Sequence, residues 1–231
     1  MISLPHVKAS SLAFTRCYLC DTLTNPGFSL CAFCMHSILH SEVNLNWQDI
    51  LLRPDACRML KTRSLSHLYC LFEYQNPLDL MIAQMKYHSS NIAKNSLKQL
   101  IQAEPVNPTL ISPADCLVPV PLHWFKYYLR GFNQADWLAD VLSARLKITR
   151  FKGGRRVRFT HQQASLSGQR RIRNLNNAFR IQSQLSIKNK HVLLVDDVVT
   201  TGTTLEALAQ TFLNAGAARV SAICLCWAKL N

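Results

Sequence analysis

Strand-length apolar runs alternate with helix-length segments in the second half of the chain. The runs "DCLVPVP" (115–121), "HVLLVDD" (191–197) and "RVSAICLCWA" (219–228) are strand-like. The segments "NQADWLADVLSARL" (133–146) and "TTLEALAQTFLNAGA" (203–217) space their apolar residues as amphipathic helices do. Because the strands are continuously apolar rather than alternating, the pattern predicts an α/β fold in which helices cover both faces of a parallel sheet.

The first half of the chain predicts a strand followed by two helices. The segment "SLSHLYCLFEY" (64–74) alternates well enough for a strand or hairpin. Asn76 is then a candidate helix cap, with Pro77 in the first turn. The predicted helix carries Leu80, Ile82, Met85 and Lys86. A second helix, "NIAKNSLKQLIQA" (91–103), is expected to end near Glu104.

Four cysteines near the N-terminus have the spacing of a metal site. They form two Cys-x-x-Cys pairs separated by ten residues, and the four are Cys17, Cys20, Cys31 and Cys34. Two such pairs complete a tetrahedral sulfur site, which predicts a structural zinc ion because four thiolates leave no open position for catalysis. His36 is close enough to be a substitute ligand. The remaining cysteines are interpreted as small core residues, namely Cys57, Cys70, Cys116, Cys224 and Cys226.

The length of 231 residues allows one domain of ordinary size and a small accessory module. We expect the cysteine module over 1–40, a linker or connecting helix over 41–64 and the α/β domain over 65–231. The longest apolar runs, such as Ala222–Ala228, are far too short to cross a bilayer. The N-terminus lacks the pattern of a secretion signal, so no membrane insertion and a cytoplasmic location are expected.

The net charge of +13 is distributed unevenly along the chain. Between Asp140 and Asp196 there is no acidic residue, while thirteen of the 26 Lys and Arg residues lie there. A segment of one sign attracts polyanions, although it can also be a solvated surface without a specific partner.

Two adjacent carboxylates, Asp196 and Asp197, end the predicted strand at 191–197. Like charges at the end of an apolar strand need a compensating partner. The following residues form a small loop that opens a helix, where backbone N–H groups and threonine hydroxyls bind anions. This loop comprises Thr200, Thr201, Gly202, Thr203 and Thr204. Carboxylates accept hydrogen bonds from sugar hydroxyls, so the compensating ligand is expected to be a ribose bearing a 5′-phosphate, with magnesium.

The segment Val192–Thr204, "VLLVDDVVTTGTT", resembles the phosphoribosyl pyrophosphate (PRPP) signature of the type I phosphoribosyltransferases. Several segments are similar to the competence protein F (ComF) family, as is the four-cysteine module. These segments are "RGFNQA" (130–135), Thr160 with Gln163, and Arg171 to Asn174 followed by Ala178 and Phe179. The resemblance implies a type I phosphoribosyltransferase-like domain over 65–231, with a parallel sheet flanked by helices and a small N-terminal four-cysteine zinc module.

The resemblance also implies roles for individual residues. Asp196 and Asp197 would hold the ribose hydroxyls, and Thr200 to Thr204 the 5′-phosphate of PRPP, which binds with magnesium. The turn at Val120 and Pro121 would approach the pyrophosphate. Arg130 is a candidate pyrophosphate or nucleic-acid contact, because a guanidinium binds phosphate through two parallel hydrogen bonds.

The roles of three polar residues remain undecided from the sequence. Asn133 and Gln134 are equally suited to cap the following helix or to bind the ligand. Lys86 is a weaker candidate for the ligand site, because a lysine late in a helix often faces only the helix dipole.

Two functions are compatible with these residues. One is an active phosphoribosyltransferase with an unidentified nitrogen acceptor. The other, which the resemblance to the ComF family implies, is a PRPP-binding competence protein that handles single-stranded DNA during uptake. Single strands bind to basic grooves with aromatic rings, and "HWFKYYLRGF" (123–132) interleaves both residue types, although core packing could claim half of those rings. The candidate nucleic-acid contacts are Lys126, Arg155, Arg156, Arg158, Arg170 and Arg171. The zinc module is a candidate contact for other competence or DNA-processing proteins.

Overall fold

A computed structural model describes residues 15–105, 113–122, 124–151, 154–156, 179–181 and 187–229. Of Lys126, Arg155, Arg156 and Arg180 it describes the backbone alone. Its helices are α1 (Ala32–Leu39), α2 (Pro54–Met59), α3 (Leu78–His88), α4 (Asn91–Ala103), α5 (Trp124–Arg130), α6 (Gln134–Leu146) and α7 (Thr203–Asn214). Its strands are β1 (Thr15–Arg16), β2 (Leu23–Thr24), β3 (Asn44–Asp49), β4 (Leu68–Glu73), β5 (Cys116–Pro119), β6 (Gly154–Arg156), β7 (Phe179–Ile181), β8 (His191–Val199) and β9 (Arg219–Trp227).

The main sheet has five strands in the order β3-β4-β9-β8-β5. The pairs β4–β9, β9–β8 and β8–β5 are parallel, as the continuous apolar runs predict. The edge strand β3 is antiparallel to β4. This strand lies within 41–64, which we predicted to be a linker or connecting helix. That prediction is wrong for 44–49, because Leu45 and Trp47 are buried in the cores of the α/β domain.

Both faces of the sheet are covered, which confirms the predicted layer arrangement. Along β8, Val192 and Leu194 pack into one core, which includes Leu205, Leu208 and Phe212 of α7. Leu193 and Val195 point to the other core, formed with apolar residues of α3, α4 and α6. Burial on alternate faces explains why the strand sequence has no polar alternation.

The predicted helices form with small shifts at their ends. The helix predicted over 91–103 has those bounds, and Ser90 caps it by accepting a hydrogen bond from Ala93 N. Helix α3 begins at Leu78 with Pro77 at its cap position and no side-chain cap, so Asn76 does not cap it as predicted. No helix in the described segments is long and apolar enough to span a membrane.

The cysteine-bearing segment packs against the α/β domain. Gln99 on α4 accepts hydrogen bonds from Ser29 N and Leu30 N, at 3.1 and 3.0 Å. Leu30 and Ile38 are buried in the same core as α3 and α4. Of the other cysteines, four are buried as predicted, namely Cys70, Cys116, Cys224 and Cys226. Cys57 is exposed, so its predicted core position is wrong.

Candidate functional site

The carboxylate pair lies where β8 loses one of its two neighbours. The pairing of β5 with β8 ends at Pro119 and Val195, and Val120 N then donates a hydrogen bond of 2.8 Å to Val195 O. Strand β8 continues to Val199 while paired only with β9 on its other side. Asp196 and Asp197 therefore stand beside the open end of the sheet, next to the turn that begins at Val120. Ligands of open α/β sheets bind at this position.

The charge on Asp197 already has a partner in the protein. Lys86 Nζ lies 2.9 Å from Asp197 Oδ2, and the two side chains are 16% and 12% exposed. The other oxygen, Asp197 Oδ1, accepts a hydrogen bond of 2.8 Å from Val198 N. We expected a bound ligand to compensate this carboxylate. The structure corrects that expectation for Asp197, because an ammonium group on α3 provides the compensation.

Lys86 was predicted to be a weaker candidate because it lies late in a helix, but the structure places it in contact with Asp197. Helix α3 buries Leu78, Met81, Ile82 and Met85, and Lys86 follows Ile82 by four residues, on the same side of the helix. A lysine on a buried helix face needs an acidic partner, because desolvation of an unpaired ammonium is costly. That placement is the sequence signal that could have identified Lys86.

The threonine loop forms an open helix N-terminus. Helix α7 begins at Thr203, and Gly202 occupies its cap position with a φ of 71° and no side-chain cap. The first N–H groups of the helix therefore have no side-chain acceptor on the cap residue and can donate to an anion. Thr201 Oγ1 and Thr203 Oγ1 lie 3.2 Å apart and add hydroxyl donors. The loop predicted over Thr200 to Thr204 thus spans the end of β8 and the first turn of α7.

A distant segment holds this loop in place. Residues 58–64, here called the strap, pack against it through Lys61 N, which donates a hydrogen bond of 2.9 Å to Thr201 O. A Cβ atom on Gly202 would lie 2.4 Å from Thr62 Cγ2, so the close approach requires glycine there. Glu206 of α7 accepts hydrogen bonds from Arg63 N and Ser64 N, at 2.8 and 2.9 Å. Sequence reasoning assigned the strap to a linker and missed it.

The turn at Val120 and Pro121 is braced by Asn133. Asn133 Nδ2 donates to Val120 O at 3.1 Å, while Asn133 Oδ1 accepts from Ala135 N at 3.2 Å and caps α6. Of the two roles left open for Asn133, helix cap or ligand contact, the structure shows the helix cap. The same side chain also fixes the turn. Gln134 is 2% exposed, and its Oε1 accepts a hydrogen bond of 3.2 Å from Arg130 Nη1.

Arg130 has contacts beside α3 rather than at the carboxylate pair. Its guanidinium carbon lies 5.6 Å from the centre of the Tyr87 ring, and its carbonyl accepts from Ser89 Oγ at 3.5 Å. Tyr87 directly follows Lys86 in the chain, so Arg130 comes close to the helix that carries the partner of Asp197. A phosphate contact by Arg130 stays a prediction.

The four predicted metal ligands converge in the structure. The sulfur atoms of Cys17, Cys20, Cys31 and Cys34 all lie within 4.8 Å of one another. A tetrahedral site with metal–sulfur bonds of about 2.3 Å separates its sulfurs by about 3.8 Å, so this cluster fits a metal ion. Hydrogen bonding by the side chain and then the backbone of Thr22 lowers the pKa of Cys20 to about 6, which favours the thiolate that a metal binds.

The predicted nucleic-acid residues are described only in part. Lys126 lies in α5, and Arg155 and Arg156 lie in β6, which pairs with β7 in a separate two-stranded sheet. Arg158, Arg170 and Arg171 lie outside the described residues, as do Thr160 and Gln163. The described aromatic side chains of α5 are exposed: Trp124 by 70%, Phe125 by 43%, Tyr127 by 52% and Tyr128 by 81%. Core packing therefore does not account for these four rings.

Comparisons with known proteins identify a family and several relatives. The phosphoribosyl transferase domain family matches residues 130–230. The DNA utilization protein YhgH of Escherichia coli (strain K12) is 34% identical over 214 residues, which cover 91% of this chain and 89% of that protein. Competence protein F of Haemophilus influenzae is 32% identical over 148 residues, which cover 62% of this chain and 65% of that protein.

A solved glutamine PRPP amidotransferase from B. subtilis, complexed with ADP and GMP, aligns with a TM-score of 0.39 and 21% identity. The alignment covers 61% of this chain and 30% of that chain. The family assignment depends on the sequence relatives and the domain match, not on this structural neighbour.

The Lys86–Asp197 pair generates a prediction about stability. Lys86→Met leaves the mostly buried Asp197 carboxylate without its ammonium partner. We expect the free energy of unfolding, measured in urea at pH 7, to fall by about 1–3 kcal/mol, between the costs typical of exposed and buried pairs. Lys86→Met/Asp197→Asn should cost clearly less than the sum of its two single changes.

The matched control is Lys98→Met, which removes an exposed lysine from the neighbouring helix α4. It should change the free energy of unfolding by no more than about 0.5 kcal/mol. Additive costs for Lys86→Met and Asp197→Asn would show that the two groups do not interact in solution.

Proposed function

The chain belongs to the ComF family of phosphoribosyltransferase-like proteins, and from that premise we propose that it binds PRPP and single-stranded DNA in the cytoplasm during DNA uptake. The names of its relatives, which refer to DNA utilization and competence, support the DNA half. The observation that carries the PRPP half is the juxtaposition of Asp196 and Asp197 with an uncapped helix N-terminus across a glycine loop.

The geometry suits the parts of PRPP. Asp196 and Asp197 accept hydrogen bonds from the ribose hydroxyls, since each carboxylate oxygen has two lone pairs and keeps capacity beyond its protein partner. The N–H groups and hydroxyls at Thr201, Thr203 and Thr204 bind the 5′-phosphate. The turn at Val120 and Pro121 faces the pyrophosphate. Magnesium, when bound with PRPP, offsets the charge of the pyrophosphate oxygens.

Lys86 has a role in this binding. Its ammonium contacts Asp197 Oδ2 and fixes that oxygen, so that the carboxylate is oriented before the sugar arrives. An ammonium has three donors, and only one is needed for Asp197 Oδ2. Lys86 therefore supplies positive charge beside a ligand that is strongly anionic.

The exposed aromatic rings of α5 support binding of single-stranded DNA. The hydrogen bond between Asn133 and Val120 closes the base of the segment that contains α5. Helix α5 thus lies in a segment whose two ends meet at the turn that borders the proposed PRPP site. Bases stack on exposed aromatic side chains, and the adjoining segment 145–190 contributes positive charge for the phosphates.

Catalysis is the second candidate function, and the presence of both carboxylates beside the open helix N-terminus favours it. A phosphoribosyltransferase breaks the bond between C1 of the ribose and pyrophosphate while a nitrogen nucleophile attacks C1. The described residues would contribute by positioning the sugar and stabilising charge. Release of pyrophosphate with a particular base would establish this activity and identify the acceptor.

The cysteine cluster is proposed to hold zinc as a structural ion. Four thiolates complete the coordination shell without a histidine. His36, the predicted substitute ligand, instead stacks on His40 with ring centres 3.8 Å apart. Around the cluster, Leu23, Phe28 and Phe33 are 60%, 45% and 79% exposed. Exposed apolar side chains on a small metal module suit contact with another protein, which we propose to be a competence or DNA-processing partner.

The PRPP half of the proposal is tested by calorimetric titration of PRPP with and without magnesium. We expect magnesium-assisted binding with a dissociation constant on the order of micromolar, and a loss of at least about tenfold in Asp196→Asn/Asp197→Asn, equal to about 1.4 kcal/mol. Glu42→Gln, which changes an exposed carboxylate on the loop before β3, should bind as the wild type does. Absence of binding in the wild type would mean that the carboxylate pair is only inherited scaffold.

The DNA half is tested by the salt dependence of oligonucleotide binding. The affinity for a single-stranded oligonucleotide should fall steeply with salt, by about 0.7 log units per log unit of salt for each phosphate contacted. Arg155→Glu/Arg156→Glu should weaken binding and flatten the slope, while Asp197→Asn should not. An unchanged affinity in the double variant would refute the placement of DNA along the segment 145–190.

The zinc assignment is tested by metal analysis of the purified protein. We expect about one zinc ion per chain, since the four sulfurs form one site. Cys20→Ser should remove most of the zinc, and His36→Ala should retain it. A loss of zinc in His36→Ala would instead make the histidine a ligand.

A further inference from the structure

The strap, residues 58–64, carries positive charge that no described acidic side chain pairs with. Arg58, Lys61 and Arg63 are exposed, and residues 56–72 contain no Asp or Glu. The ion pairs between described residues involve none of these three cations. The preceding acid, Asp55, pairs with Arg53 at 3.0 Å instead.

The acidic residue that touches the strap leaves these cations available. Glu206 Oε2 accepts from Arg63 N and Ser64 N, and Glu206 Oε1 accepts from Ser64 Oγ at 2.7 Å. Gln210 Nε2 also donates to Oε1. Glu206 thus fixes the backbone of the strap and takes no hydrogen bond from the side chains of Lys61 or Arg63.

The strap is rigidly connected to the proposed phosphate loop. Lys61 N donates to Thr201 O, and Thr62 packs against Gly202 so closely that a Cβ atom would not fit. Lys61 and Arg63 are therefore attached through their backbone to the first turn of α7 and the loop before it, and Arg58 precedes them at the end of α2. These cations add positive charge beside the helix N-terminus, where the Glu206 carboxylate is occupied by hydrogen bonds from the strap.

We propose that the strap is a phosphate-contact surface for single-stranded DNA, contiguous with the PRPP loop, so that PRPP and DNA compete for the same positive field. The inference rests on the proposed function and adds a location and a form of regulation to it. Both ligands are anionic, and charges closer than about 8 Å are little screened at physiological salt. Bound PRPP then weakens DNA binding, and DNA weakens PRPP binding by the same factor.

A strand of nucleic acid fits this surface better than a lipid membrane does. Membrane-surface segments insert exposed apolar side chains beside their cations. In the strap Leu60 is only 9% exposed and packs into the core, and Met59 is half-buried. The strap therefore offers charge without an apolar anchor, as a surface that reads a phosphate backbone does.

The test compares two variants that lose equal charge. Arg58→Gln/Lys61→Gln/Arg63→Gln neutralises the strap. Its control is Arg16→Gln/Lys98→Gln/Lys229→Gln, which neutralises three exposed cations that lie outside both the strap and the segment 145–190. Binding of a fluorescent oligo-dT strand is followed by anisotropy over a range of salt. The strap variant should bind at least about tenfold more weakly at about 0.1 M salt, with a slope reduced by about 2, and the control should change little.

The same assay measures the competition. Saturating PRPP with magnesium should lower the oligonucleotide affinity of the wild type and of the control by about three- to tenfold. The strap variant should show no such decrease, because the shared field has been removed. Thermal unfolding checks that the variants are folded. If the triple variant does not fold, the single variant Lys61→Gln replaces it in both assays.

Each contrary outcome is distinct. Equal weakening in the strap variant and its control would show that net charge, not the strap, attracts DNA. An unchanged strap variant would overturn the inference while the proposed DNA binding stands. No binding by the wild type would overturn both, with the calorimetric titration still reporting on PRPP. A strap variant that loses affinity for anionic phospholipid vesicles but not for oligo-dT would make the strap a membrane contact.

Discussion

A carboxylate at the end of a buried strand has to be paired, and the rest of the site is arranged around that requirement. Asp197 is 8% exposed, and its neighbour in sequence carries the same charge. Water cannot stabilise it fully, so a cation must come from elsewhere in the fold. Helix α3 brings Lys86 to 2.9 Å, and the pair joins a helix of the outer layer to the central strand. The packing of α3 against the sheet therefore determines where the ammonium group lies relative to the two carboxylates.

The second constraint is the glycine loop, which gains its shape from contacts outside itself. Gly202 has a left-handed φ of 71° and no space for a Cβ atom. Thr62 of the strap packs against this glycine. Glu206 holds the strap in place by accepting hydrogen bonds from backbone N–H groups of the strap. An anion site made of backbone N–H groups needs such support. A loop that must become ordered on binding costs conformational entropy, and this cost lowers the affinity for the ligand.

The sequence was sufficient where the relevant interactions are local or repeat along the chain. The continuous apolar runs predicted β8 and β9, and the spacing of four cysteines predicted a cluster that the structure confirms. The pairing of Lys86 with Asp197 and of Glu206 with the strap joins residues more than a hundred positions apart. Such contacts leave no periodic signal. Strand β3, in contrast, carries a local signal that the linker prediction did not use, because the buried Leu45 and Trp47 alternate with the exposed Asn46 and Gln48.

The placement of acids and bases suggests how one chain can serve both a sugar phosphate and a DNA strand. The adjacent carboxylates attract the hydroxyl donors of a ribose and repel a phosphodiester backbone, whose internal nucleotides have no free 3′-hydroxyl to donate. Under the proposed function, a strand is thereby excluded from the ribose pocket and directed to surfaces that carry unpaired cations or exposed rings. The strap and α5 are such surfaces; the strap is bonded to Thr201, and the segment that contains α5 is closed at Val120. In the proposed function, the carboxylates that hold the ribose of PRPP also keep a DNA strand at the rim of the pocket, where occupancy of the pocket changes the field that the strand encounters.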